Sequence, residues 1–186
     1  METKLKHIAS IQTGFYAKNP VTKGEIVYLQ AKHFNQKGIL TDDLLPDLLS
    51  ATVPDKHLLK TGDILFAAKG TRNFASVFKG LDIPSVASTS FFVIRLYEQN
   101  ILPDYLAWFL NYPDTQLYLK VNARGTSIVS ISKDVLSDLV ILIPTLKTQH
   151  SILKITQLRE KELNLRKQID ILRDKQLQQQ IINALK

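Results

Sequence analysis

The sequence predicts an α+β fold: a mixed domain with a twisted sheet and short helices over residues 1–145, followed by one long helix over residues 146–186. Two observations carry this reading. After Pro144 the chain contains no Pro or Gly, and Leu, Lys, Gln, Arg and Glu fill most positions; proline suits a helix start but not its interior, and those residues are strong helix formers. The first 145 residues instead break into short β-branched and aromatic runs divided by Gly, Pro and Asn turns. A hydrophobic fraction of 45% and a mean hydropathy of −0.04 support a buried core. A chain of 186 residues accommodates one such domain plus the helix, but not two full domains.

The elements follow in order. Leu5, Ile8 and Ile11 suggest a short helical or extended opening closed by Gly14. A turn spans Asn19-Pro20 to Gly24, and Glu25–Leu29 has the make-up of a strand. Gln30–Gly38 reads as a donor-rich loop, and Pro46 and Pro54 keep residues 44–57 irregular. The turn Lys60-Thr61-Gly62-Asp63 launches a buried strand, Ile64–Ala68, with a second at Ala75–Phe78. Val86–Leu96 is a long β-rich run whose first half is small and hydroxylated. From Pro103 the spacing of Tyr105, Leu106, Trp108, Phe109 and Leu110 predicts a helix, with a shorter one from Asp114 to Val121. Leu136–Ile143 supplies the last strand.

Within the long helix, Ile155, Leu158, Leu165, Ile169 and Leu172 fall on alternating four- and three-residue steps, with Glu162 at one seam position. Charges of both signs flank them, and the stripe drifts after Leu172 to Leu177, Ile181 and Leu185. At 1.5 Å per residue this helix spans about 60 Å. So narrow a seam is unstable alone, and the expectation is that it projects and meets another helix. These five residues are the candidate dimerisation set.

There is no cysteine, which excludes disulfides and thiolate metal sites. The longest apolar runs fall far below membrane-spanning length, so no membrane association and a cytoplasmic location are expected. Catalytic patterns are missing: His7, His33, His57 and His150 stand singly, there is no Gly-rich phosphate loop, and the only Glu-x-Lys is Glu2-Thr3-Lys4. Asn19-Pro20-Val21-Thr22 lacks the second proline and the aromatic of a base-methyltransferase motif. No catalytic residue, metal site or cofactor is expected.

The net charge of +7, from 24 basic and 17 acidic residues, permits contact with a phosphate backbone. The loops at Lys69-Gly70-Thr71-Arg72-Asn73 and Arg124-Gly125-Thr126-Ser127 carry side chains able to pair with base edges, while Lys18 and Lys32 are candidate phosphate contacts. Ser88 and Thr89 complete the candidate DNA-binding set of Lys18, Lys32, Lys69, Arg72, Asn73, Ser88, Thr89, Arg124 and Ser127. Ordinary solvated turns have the same composition, and residue types alone do not separate the two.

The order of motifs resembles a target recognition domain of the DNA specificity (S) subunit of type I restriction-modification systems. The resemblance runs through Lys4–Gly14, Gly24–Leu29 and Leu59–Phe66, then Asp104-Tyr105-Leu106 with Phe109-Leu110, Gly125-Thr126-Ser127-Ile128 with Ile131, and Leu139–Pro144 with Leu146 and Gln149. At the helix start, Ile143-Pro144-Thr145-Leu146-Lys147-Thr148-Gln149 keeps the Pro, Leu and Gln of the family's Pro-Pro-Leu-x-Glu-Gln. Such subunits carry two recognition domains separated by two antiparallel helices. One of each is seen here, so the resemblance implies a half-subunit whose helix pairs antiparallel with a second copy. It further implies a non-catalytic chain that binds double-stranded DNA and directs the methyltransferase (modification) subunit and the restriction subunit. Two other readings stay open: a protein–protein adaptor with incidental basic loops, and a DNA-binding regulator with an appended coiled coil, although no helix-turn-helix spacing is present.

Overall fold

The computed structural model describes residues 1–18, 21–35, 38–41, 44–70, 72–123 and 130–185. They divide into two compact units, Met1–Leu146 and Lys147–Lys186.

In the first unit the chain begins with β1 (Glu2–Lys4), turns through one helical turn, α1 (Leu5–Ile8), and continues as β2 (Ala9–Thr13). The strands β3 (Val27–Leu29), β4 (Ile64–Ala67), β5 (Ala75–Val77), β6 (Ser85–Ala87) and β7 (Phe91–Leu96) follow. Then come α2 (Pro103–Asn111), α3 (Pro113–Val121), α4 (Lys133–Ser137) and β8 (Val140–Leu142). Proline opens both α2 and α3, where its missing N–H costs no intrahelical bond.

Among the described residues the strands form three sheets. The four-stranded one has the order β2-β7-β4-β5, and each neighbouring pair is antiparallel. β1 pairs antiparallel with β8, and β3 pairs parallel with β6. β3 is buried on both faces, and its period of two divides the core. Val27 and Leu29 join Phe34, Leu65, Ala67, Phe74, Phe78, Ala87 and Phe91, whereas Ile26 and Tyr28 join Leu48, Val53 and Val86.

Two sequence expectations are corrected. Val86–Leu96 is not one strand: β6 and β7 belong to different sheets, because Ser88 to Ser90 turn the chain and free β7 to pair with β2 and β4. The last strand is shorter than expected. Ser132 Oγ accepts the N–H of Val135 at 3.3 Å and caps α4, leaving only Val140–Leu142 extended.

The second unit consists of the continuation of α5 (Leu146–Ala184), a helix of 39 residues. Ile155, Leu158, Leu165, Ile169 and Leu172 are all exposed, Ile155 at 67% and Leu172 at 63%. The polar seam position, Glu162, is bracketed by Arg159 at 2.9 Å and Arg166 at 2.7 Å. The Arg159 hydrogen bond, followed by the charge of Arg166, holds its carboxyl below the usual range. No helix among the described residues is long and apolar enough to cross a membrane.

Candidate nucleic-acid interface

Strand directions gather the candidate loops at one end of the four-stranded sheet. β2 and β4 finish there and β5 and β7 begin there, since Thr13 lies opposite Phe92 and Ala67 opposite Phe91. The N–H groups of Ala68 and Lys69 both donate to Ser90 O, at 2.9 and 3.3 Å, and Lys69 bridges to Ser130. β3 also ends here, because Ser88 N–H donates to Leu29 O at 2.8 Å. Phe34, Phe74 and Phe91, one from each of three neighbouring segments, stack with ring centres 5.4 to 6.0 Å apart. Edge and tilted aromatic contacts of this kind add about 0.5–1.5 kcal/mol each beyond their burial, so they fix the loops above them.

Of the sequence candidates, Lys32, Lys69 and Arg72 come together. With Ala31, Gly70 and Phe74 they line a cavity of about 430 Å³. Arg72 is held in place: Nη2 donates to Asn35 O at 2.7 Å, and the guanidinium lies over the Phe74 ring, 4.8 Å from its centre. Lys32 sits on the turn after β3, which His33 closes by accepting the Gln30 N–H on Nδ1 at 3.2 Å. Burial, and then the charge of Lys32, push the His33 imidazole below its ordinary value, as befits a ring that accepts a hydrogen bond.

Of the other described candidates, Lys18, Asn73, Ser88 and Thr89 do not line this cavity. Lys18 lines a separate recess of about 380 Å³ with Phe15, Tyr16, Ala17, Leu48 and Thr52. Asn73 is half-buried, and its Nδ2 donates to Ala67 O at 2.8 Å, so its amide finishes β4. Thr89 is half-buried in the turn before β7. Ser88 is only 4% exposed, and its Oγ has no partner among the described residues. The reason is close packing: a Cβ on Gly14 would lie 2.0 Å from Ser88 O, a contact only glycine permits. Arg124 and Ser127 lie outside the described residues.

Sequence reasoning missed Tyr16, which is 68% exposed beside Lys18, and it missed Asn35 and Phe74, which orient Arg72. Tyr16 follows Phe15 directly, a pair of aromatics just past a strand end, and that placement was the available signal. Among the described residues no group of three or more His, Asp or Glu side chains could hold a metal ion.

Basic side chains thus stand on loops at one end of an α+β domain, which a long helix with an exposed apolar seam follows. The family model for the type I restriction modification DNA specificity domain matches residues 1–173, and the chain belongs to that family. It is 32% identical over 133 residues to the HindI type I restriction enzyme specificity subunit of Haemophilus influenzae, covering 70% of this chain and 28% of that protein. The fold is similar to the HsdS subunit of Thermoanaerobacter tengcongensis, with a TM-score of 0.66 and 20% identity over 90% of this chain and 44% of that one. It also resembles a type I restriction-modification S subunit from M. genitalium, with a TM-score of 0.60 and 14% identity over 88% and 40% of the two chains. The chain therefore spans less than half the length of each of these relatives.

Proposed function

We propose that this chain is a sequence-specific DNA recognition subunit. It presents the loops at the β2/β4 sheet end to double-stranded DNA and directs the modification and restriction subunits of a type I system without catalysing a reaction itself. The observation that carries this reading is the convergence of Lys32, Lys69 and Arg72 on one cavity at the loop-bearing end of a specificity-family domain. The residues 1–145 then form the target recognition domain, and those from 146 onward the dimerisation and spacer helix.

The exposed seam of α5 supports a second element of the proposal. Five apolar residues left in water along one stripe favour burial against an identical stripe, at roughly 25 cal/mol per Å² covered. Two copies paired antiparallel place their recognition domains at opposite ends of the helix pair, so the site they read is an interrupted palindrome. At 1.5 Å per residue, 39 residues span about 58 Å, more than one DNA turn of about 34 Å.

Selection of bound duplexes from a random pool, with affinity followed against salt, tests the reading. The expected result is a two-part site with an unread spacer and an affinity that falls steeply with salt through counterion release. Salt-insensitive or undetectable DNA binding overturns it in favour of a protein–protein adaptor.

A further inference from the structure

Among the described residues of the first unit, four cations sit beside carboxylates and others do not. Lys4 and Lys6 share Asp138, Lys79 meets Asp104 and Arg95 meets Asp63. Lys32, Lys69 and Arg72 differ. Among the described residues none of the three forms an ion pair, and no carboxylate lines the cavity they share. Three like charges held around about 430 Å³ repel one another, and the surroundings keep them there. Asn35 O and Phe74 hold the Arg72 guanidinium, while the backbone bonds of Ala68 and Lys69 to Ser90 O and the His33-closed turn place the segments that carry Lys69 and Lys32. Among the described residues nothing supplies the counter-charge to this cavity, and an external anion can do so.

The shape selects the kind of anion. A side chain that reads a base must protrude into a groove to meet partial charges on a base edge. Arg72 is drawn back over the Phe74 ring, one of its donors is engaged by Asn35 O, and the cavity is concave. A backbone phosphate protrudes from the duplex, carries a full charge and offers oxygens to several cationic donors at once. Gly70 leaves room for it: its φ of +127° is one other residues adopt only with strain, and nothing lies within 4 Å of where a Cβ would stand.

We propose that the cavity between the turn after β3 and the β4–β5 loop seats a single backbone phosphate, so that Arg72, with Lys32 and Lys69, anchors the duplex and does not read a base. This rests on the DNA-binding reading above. Three cations around one phosphate make a distinctive signature, because the salt slope counts phosphates neutralised and not cations supplied.

The test uses the full chain and its selected duplex. The Lys32→Ala/Lys69→Ala/Arg72→Ala triple variant should bind more weakly, select the same bases and lose about 0.9 from the slope of log K against log salt, the value for one phosphate. Methylphosphonates placed singly along the duplex should reveal one position per half-site that weakens the wild type and leaves the triple variant indifferent. The Lys32→Ala/Lys69→Ala double variant changes only exposed side chains and carries the same test should Arg72 prove needed for folding. A changed base preference, or a slope loss near three times 0.9, overturns the single seat while DNA recognition stands. No salt-dependent binding by the wild type overturns both.

Discussion

Asn111 closes the edge of β5 by pairing both polar groups of Ala75: its Oδ1 accepts the Ala75 N–H at 2.8 Å and its Nδ2 donates to Ala75 O at 2.7 Å. A side chain at the end of α2 thus completes a ladder that no further strand among the described residues extends. Asn111→Ala removes two hydrogen bonds, each with a net worth of about 0.5–1.5 kcal/mol. The expected loss is about 1–3 kcal/mol in urea unfolding, with more self-association at high concentration because an open strand edge can recruit another chain. An unchanged urea midpoint shows that the pairing is dispensable.

Among the described residues of the first unit, Arg95 and Asp63 form the best-buried ion pair. Asp63 is 1% exposed, and it accepts Arg95 Nε and Nη2 at 2.7 and 2.6 Å and Lys60 N–H at 2.8 Å. Its hydrogen bond lifts the Arg95 guanidinium further above its ordinary value, chiefly by favouring the charged form. Arg95→Met leaves the carboxylate buried without its partner and should cost about 3–5 kcal/mol. The Asp63→Asn/Arg95→Met double variant should recover much of that loss. Equal stability of the single and double variants refutes the pairing argument.

Histidines 33 and 57 give the domain a pH dependence of definite sign. Burial pushes both below their ordinary value, helped by Lys32 and Lys56, with Asp47 opposing at His33. His57 Nδ1 lies 2.9 Å from the Gln12 amide nitrogen, and His33 Nδ1 accepts from Gln30, so both rings serve as neutral acceptors. The unfolded chain therefore takes up protons that the folded one resists. Their contribution is complete above about pH 6.5 and is lost as pH falls from there through the depressed folded values. The thermal midpoint should drop between pH 7.5 and 5.5, and His33→Gln/His57→Gln should flatten that drop. A drop of the same size in the variant assigns it to other groups.

For α5, Leu158→Asp/Leu165→Asp places charges on the seam. Each unpaired charge carried into an apolar contact costs several kcal/mol, so the variant should be monomeric by light scattering where the wild type has twice the mass. A monomeric wild type at high concentration sinks the pairing.

One heptad inserted after Leu165 keeps the seam in register and lengthens the separation by about 10 Å, or about three base pairs at roughly 3.4 Å each. The half-sites selected by the variant should be unchanged and further apart, at some loss of affinity from the accompanying rotation. An unchanged spacer removes the helix from the role of ruler.

What the sequence revealed depended on the range of the cause. Leu146–Ala184 was legible because helix propensity and the lack of breakers act locally, and Ile64–Ala67 because a short apolar run between turns has few other solutions. The division between β6 and β7 was hidden: Ser88–Ser90 becomes a turn only because β3 captures one side and β2 and β4 the other. The basic cavity was half visible. Its cations could be named, but the partners of Arg72 include Asn35, 37 positions away, and such contacts arise only from the fold. The burial of Ser88 was hidden as well, because a small hydroxylated residue gives no sign that the Gly14 backbone will pack against it.

The pairing of Glu2 with Leu142 sets an order of events during synthesis. At about 5–20 residues per second the ribosome makes β1 well before β8. The four-stranded sheet can assemble once Leu96 has emerged, while β1 keeps its backbone groups unmatched until α2, α3 and α4 have all been translated. Throughout that interval the nascent chain displays an open edge at β1, where a chaperone or a neighbouring nascent chain can take hold. β1 thus waits for most of this domain to be made before it finds its mate.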